Sequence, residues 1–182
     1  MNKCLLIIDV QNDYFKNGKN PLYNSEKTVE TIKNTLELFR EKNYPIIHVQ
    51  HISTRLDATF FIKDTEGSEI HPQVKPLESE KLIVKNYPNS FKNTDLLDYL
   101  KSKKIEEIII CGMMTHMCVA ATTKAAFDLG FKLQILKDAC TTKDLLFEDT
   151  LIPAETVHKT ILASLNGIFG KVTDLETIKK EI

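Results

Sequence analysis

No two cysteines in this chain are spaced C-x-x-C, and no apolar run approaches the length of a membrane span. Cys4, Cys111, Cys118 and Cys140 therefore suggest neither a zinc site nor a redox pair, and in a reducing cytosol they are expected to be free thiols. The apolar stretch CLLII stops at Asp9. It is too short for a transmembrane helix, and no small-residue cleavage site follows, so it reads as a buried strand of a cytoplasmic protein with no membrane partner. Charge of one sign is missing too. Lys and Arg number 24 against 25 Asp and Glu, interspersed, so there is no basic stripe and nucleic acid is not an expected partner. G-x-G-x-x-G is absent after every strand-like run, which argues against a Rossmann-type dinucleotide binder. Repeats, low-complexity tracts and linkers are also lacking, and 182 residues suit one domain, 1–182, with a sizeable core.

What is present is alternation. Strand-length apolar runs lie at Cys4–Ile8, Pro45–Val49, Leu82–Val84, Glu107–Cys111 and Phe131–Leu136, with a short one near Lys171–Val172. Between them stand helical patterns. Val29, Ile32, Leu36 and Phe39 repeat at helical spacing within Glu26–Lys42. Asp95–Leu100 has Thr94 as a candidate N-cap. Thr115–Leu129 is closed by Gly130, Pro153–Leu165 starts on its proline, and a last helix runs from Asp174. This order predicts an α/β fold with a parallel sheet covered on both faces. His51–Lys81 carries no such pattern, and a loop that long in a compact domain is usually a lid or pocket wall.

In open parallel sheets, ligands bind beyond the carboxyl ends of the strands. Among the residues there, Asp9, Lys85 and Cys118 form a coherent chemical set. A cysteine attacks as thiolate, and a helix N-terminus or a nearby cation lowers its pKa. Cys118 lies in the first turn of a helix, with Thr115 as candidate N-cap, and Lys85 can supply the cation. Asp9 can take the thiol proton and return it to a leaving group. The turn Gly112–Thr115 offers N–H groups for an oxyanion. Each residue also has a plain structural reading. Cys118 can be a small core residue, Asp9 a loop cap and Lys85 a surface lysine; Cys4, Cys111 and Cys140 read as packing.

DVQNDYF at Asp9–Phe15 resembles the D-x-Q-x-D-F opening of the isochorismatase-like cysteine hydrolases. VKNYPNSFKNTDLLDYL, IIICGMMTHMCVAATTKAAFDLG and KDACTT resemble that family's later motifs, in the same order. The resemblance implies a three-layer α/β/α, Rossmann-like fold with a six-stranded parallel sheet ordered 3-2-1-4-5-6. It implies that Asp9, Lys85 and Cys118 are catalytic, that the backbone N–H groups of Met114 and Cys118 form an oxyanion hole, and that the Met113–Met114 peptide is cis. The implied reaction is hydrolysis of a C–N bond in a small molecule through a thioester. The alternatives are isochorismatase-type vinyl ether cleavage and, in a different class, a non-catalytic Rossmann-like binding protein.

Gln11, Tyr14, Phe15, His51 and Phe91 are expected in the pocket, with Phe60, Phe61 and Tyr87 as further candidate walls. Nicotinamidases of this family bind a metal through Asp-x-His after the second strand. Here that stretch reads HVQHISTR, so neither a metal nor another cofactor is expected, and His51 and His71 read as polar pocket or surface residues. His158 resembles a histidine of many family members. The family also implies a homo-oligomer, dimer or tetramer.

Overall fold

The computed structural model describes residues 2–182. Six parallel strands form one sheet in the order β3-β2-β1-β4-β5-β8: β1 Lys3–Ile8, β2 Ile46–His51, β3 Lys81–Lys85, β4 Glu107–Met113, β5 Lys132–Thr141 and β8 Lys171–Thr173. The expected order 3-2-1-4-5-6 is present. Its sixth strand is eighth in the chain because an antiparallel hairpin, β6 Leu145–Phe147 with β7 Thr150–Ile152, stands apart from the sheet. The helices are α1 Ser25–Glu41, α2 Leu96–Ser102, α3 Ala120–Asp128, α4 Ala154–Leu165 and α5 Leu175–Glu181.

β1 is buried almost throughout because it lies at the centre of the sheet and is covered on both faces. Its side chains alternate between two cores. Leu5 and Ile7 pack with Ile32, Leu36 and Phe39 of α1 and Ile178 of α5. Cys4, Leu6 and Ile8 pack with Leu96 and Leu100 of α2, Ala126 of α3 and Leu162 of α4. These are the three layers. β3 is an edge strand, and there the alternation is incomplete cover: Ile83 is buried while Leu82 and Val84 are exposed.

Several local expectations need correction. β5 does not end at Leu136. It continues through Asp138 and Cys140 to Thr141, after a register shift against β4 between Ile110 and Gly112. The helix expected at Thr115 opens with a wide turn of π type, Thr115–Val119, before α3 begins. Met114, not Thr115, stands at its N-cap. Asp95 is the N-cap of α2, although the Thr94 hydroxyl does accept the Leu96 N–H at 3.4 Å.

The segment from Ile52 to Glu80 is tied down by Asp13. One carboxylate oxygen accepts the Phe61 N–H at 2.7 Å and the other the Lys19 N–H at 3.1 Å. Gly67 lies flat on that carboxylate; a Cβ there would sit 2.2 Å from it. Asp13 was grouped with the candidate chemistry after β1, but its lone pairs are spent on fixing this segment.

The far end of the segment is held by Glu80. Arg40 grips it bidentately at 2.7 and 2.9 Å, and His48 Nε2 and the Leu77 N–H donate to it at 2.9 Å. Burial opposes its ionisation, but these donors prevail and bring its pKa down to about 2 from 4.5. A carboxylate with a depressed folded pKa stabilises above its unfolded pKa and loses that contribution as pH falls through the folded one. Glu80→Gln is therefore expected to cost about 2–3 kcal/mol at neutral pH. Urea unfolding of both proteins should show this gap shrinking between pH 4.5 and about 2; a gap independent of pH would contradict the assignment.

Candidate active site

Adjacent strands end level, and their last side chains meet. Lys85 closes β3 and pairs in register with His51, the last residue of β2. Asp9 follows β1, where its N–H still bonds the Val49 carbonyl at 3.0 Å. Its φ of 52° ends the strand there, in a left-handed conformation that Asp tolerates better than most residues. Cys118 arrives on the turn after β4. Gly112 lets β4 run close to β1: its φ is 127°, and a Cβ would lie 2.1 Å from the Ile8 carbonyl oxygen.

Lys85 Nζ is the hub. It donates to Asp9 Oδ2 at 2.7 Å, His51 Nδ1 at 2.9 Å and Cys118 Sγ at 3.3 Å. Asp9 and Lys85 are fully buried and Cys118 is 5% exposed. Burial works against the Lys85 charge, but Asp9 and Cys118 outweigh it and hold its pKa above the ordinary lysine value. For Cys118, burial chiefly and then the Asp9 carboxylate push the thiol pKa up, and Lys85 only partly offsets them. This corrects the expectation that a helix terminus and a cation lower it. The thiol keeps its proton at rest, so attack needs a base at the moment of reaction. Asp9 Oδ1 is a buried carboxylate oxygen with no hydrogen-bond partner. Groups on Asp9, His51 and Cys118 lie within 4.8 Å of one another.

His51 is not that base. Burial first, and then Lys85, lower its pKa to about 4, so it is neutral and a weak proton acceptor at neutral pH. Asp9, His51 and Cys118 are also the donor set that a metal would use. Lys85 Nζ already bonds all three, and an added cation would meet its charge at contact distance. These donors do not fit a metal. His71 lies elsewhere, stacked on Phe15 at 4.0 Å in a separate cleft.

The peptide between Met113 and Met114 is cis. The Met114 N–H that follows it donates to no group among the described residues. His158 holds the next residue in place: its Nδ1 pairs with the Thr115 hydroxyl at 2.8 Å and its Nε2 with the Lys137 carbonyl at 3.0 Å.

Of the expected pocket residues, Tyr14 and His51 are at the site. Tyr14 packs on Phe61 at 4.5 Å, and Phe61 lies 5.9 Å from the His51 ring and 5.0 Å from Phe60. The other three are not pocket walls. Gln11 spends its amide on His51 N–H, His51 C=O and the Ser68 carbonyl, so it clamps the backbone. Phe15 faces the His71 cleft. Phe91 stacks on Phe131 against the α2–α3 core. Tyr87 is exposed, with Lys92 over its ring.

The Isochorismatase domain family model matches residues 3–177. The chain belongs to the isochorismatase family. It is 47% identical over 180 residues to the uncharacterized isochorismatase family protein YddQ of Bacillus subtilis, covering 99% of this chain and 100% of that one. A crystal structure from Oleispira antarctica, assigned to the isochorismatase hydrolases, superposes with a TM-score of 0.94 at 38% identity, over 97% of this chain and 95% of that one. The nicotinamidase of Escherichia coli is a distant relative, 24% identical over 175 residues, 76% of this chain and 82% of that one. As an isochorismatase-family hydrolase, the protein has its cluster where that fold gathers strand ends. No helix among the described residues is long and apolar enough to cross a membrane.

Proposed function

We propose that this hydrolase cleaves the C–N bond of a small uncharged amide through a Cys118 thioester. The observation that carries this reading is Asp9 Oδ1, a buried carboxylate oxygen without a partner beside a thiol that holds its proton. Asp9 takes the Cys118 proton as sulfur attacks the amide carbonyl carbon. The oxyanion is received by the N–H groups of Met114 and Cys118. When the C–N bond breaks, the departing nitrogen takes the proton from Asp9. Water then adds to the thioester and gives a proton to Asp9. The C–S bond breaks, the acid leaves, and the thiolate is reprotonated. Lys85 stays charged throughout and holds the carboxylate and sulfur together.

Charge supports an uncharged substrate. Asp9 and Lys85 cancel, and His51 and Cys118 are neutral at rest, so the cluster has no spare cation for a carboxylate. The name of the distant nicotinamidase agrees with amide chemistry. A screen of small amides, read as ammonia released, tests the reading. The expected result is turnover that a chelator leaves unchanged. Stoichiometric metal in the protein together with loss of activity in chelator, or turnover confined to vinyl ethers, would overturn it.

A further inference from the structure

The Lys85 ammonium has three N–H protons and no lone pair. All three are used, on Asp9 Oδ2, Cys118 Sγ and His51 Nδ1. His51 must therefore offer a lone pair at Nδ1, and its one ring proton is on Nε2. That Nε2–H has no partner among the described residues. It is also not among the buried unpartnered atoms, so it opens to solvent at the cluster.

The ring is held from behind. Gln11 accepts the His51 N–H at 2.7 Å and donates to its carbonyl at 2.9 Å, and Ser68 fixes Gln11 in turn at 2.7 Å. A pKa of about 4 keeps His51 in this neutral form across the working range. The Tyr14 hydroxyl is the other polar group there without a partner, but a hydroxyl donates or accepts as required. Only His51, with its tautomer fixed by Lys85, demands an acceptor.

We propose that His51 is the specificity-determining residue of this site, its Nε2–H donating to an acceptor on the substrate other than the attacked carbonyl. The attacked carbonyl oxygen belongs to Met114 and Cys118 under the function proposed above, on which this inference rests. The substrate class is then a flat, uncharged amide that carries a second acceptor, such as a ring nitrogen. It would lie against Tyr14, Phe60 and Phe61.

The test does not need turnover. Picolinamide, nicotinamide and isonicotinamide place a ring nitrogen at three positions, and benzamide is their acceptor-free isostere. Each is measured for protection of Cys118 against iodoacetamide, with peptide mapping to identify the thiol. In the wild-type protein one pyridine isomer is expected to protect about 5- to 10-fold more tightly than benzamide, the worth of one neutral hydrogen bond. In His51→Asn, the amide oxygen replaces Nδ1 as the Lys85 acceptor but no distal donor remains. The preference should fall to near unity, while the pH dependence of unprotected alkylation stays as in wild type. His51→Gln, whose N–H reaches the distal position, should restore part of it. No preference in the wild-type protein, or an undiminished one in His51→Asn, overturns the proposal. Ammonia release from the same compounds reads the function separately: preference without hydrolysis sinks the amidase reading alone, and hydrolysis without preference sinks the role of His51 alone.

Discussion

Cys118→Ala is expected to remain folded and to lose turnover of its amide substrate by on the order of 10⁵-fold, as nucleophile removals do elsewhere. The loss is not a folding effect. The side chain is small, and its replacement removes one sulfur from the lip of a core held by Val119, Ala126 and Ile110. The same variant separates two chemistries. A thioester route cannot proceed without the sulfur, whereas protonating a vinyl ether does not require it. Folded Cys118→Ala protein that keeps its turnover would show that the reaction runs through acid chemistry at Asp9 and Lys85. Alkylation gives an independent reading in the wild-type protein. All four thiols are buried, and Cys140 is pushed up to about 12 by burial. Only Cys118 has an unpartnered carboxylate oxygen close by, so iodoacetamide at neutral pH is expected to label it first.

The sheet was legible because its strands are apolar without interruption and each is followed by a helical pattern. The hairpin at Leu145–Ile152 was not. Its two-residue loop is Glu148–Asp149, with Glu148 at φ 51°. That position normally selects Asn or Gly, and neither was there to mark a turn. The end of β5 was hidden for a related reason. Lys137 and Asp138 look like a loop, but they fall in the irregular stretch where β5 slips against β4, and pairing resumes at Cys140.

The cluster itself was legible by position: Asp9, Lys85 and Cys118 each follow or close a strand, and the strand order gathers them. The walls were not. Gln11 and Phe15 flank Tyr14 in sequence, yet a tight turn at Asn12–Tyr14 sends the three side chains to different places. No periodicity reports which of them faces the cluster. The state of Cys118 was also beyond a one-dimensional reading. Its helix position and the lysine point to a lowered pKa, and only burial, which depends on the whole fold, reverses the sign.

Asp9→Asn is expected to lower turnover by ~10²–10⁴-fold or more, the usual worth of a general acid–base group. Asparagine matches the carboxylate in size and still accepts one hydrogen bond from Lys85, but it cannot take up a proton. In the proposed cycle Asp9 receives a proton from the thiol and from water and returns one to the leaving nitrogen, so each half-reaction is slowed. Stability should fall as well, because Lys85 is buried and loses its only carboxylate. Circular dichroism at the assay temperature therefore accompanies the kinetics. Alkylation supplies the control. Removing the Asp9 charge takes away one of the influences that raise the Cys118 pKa, so iodoacetamide should still label the thiol in mildly alkaline buffer. A folded variant that alkylates but does not turn over has an intact nucleophile without its base. A folded variant with near wild-type turnover would assign Asp9 to holding Lys85 in place and would leave the proton transfer to another group.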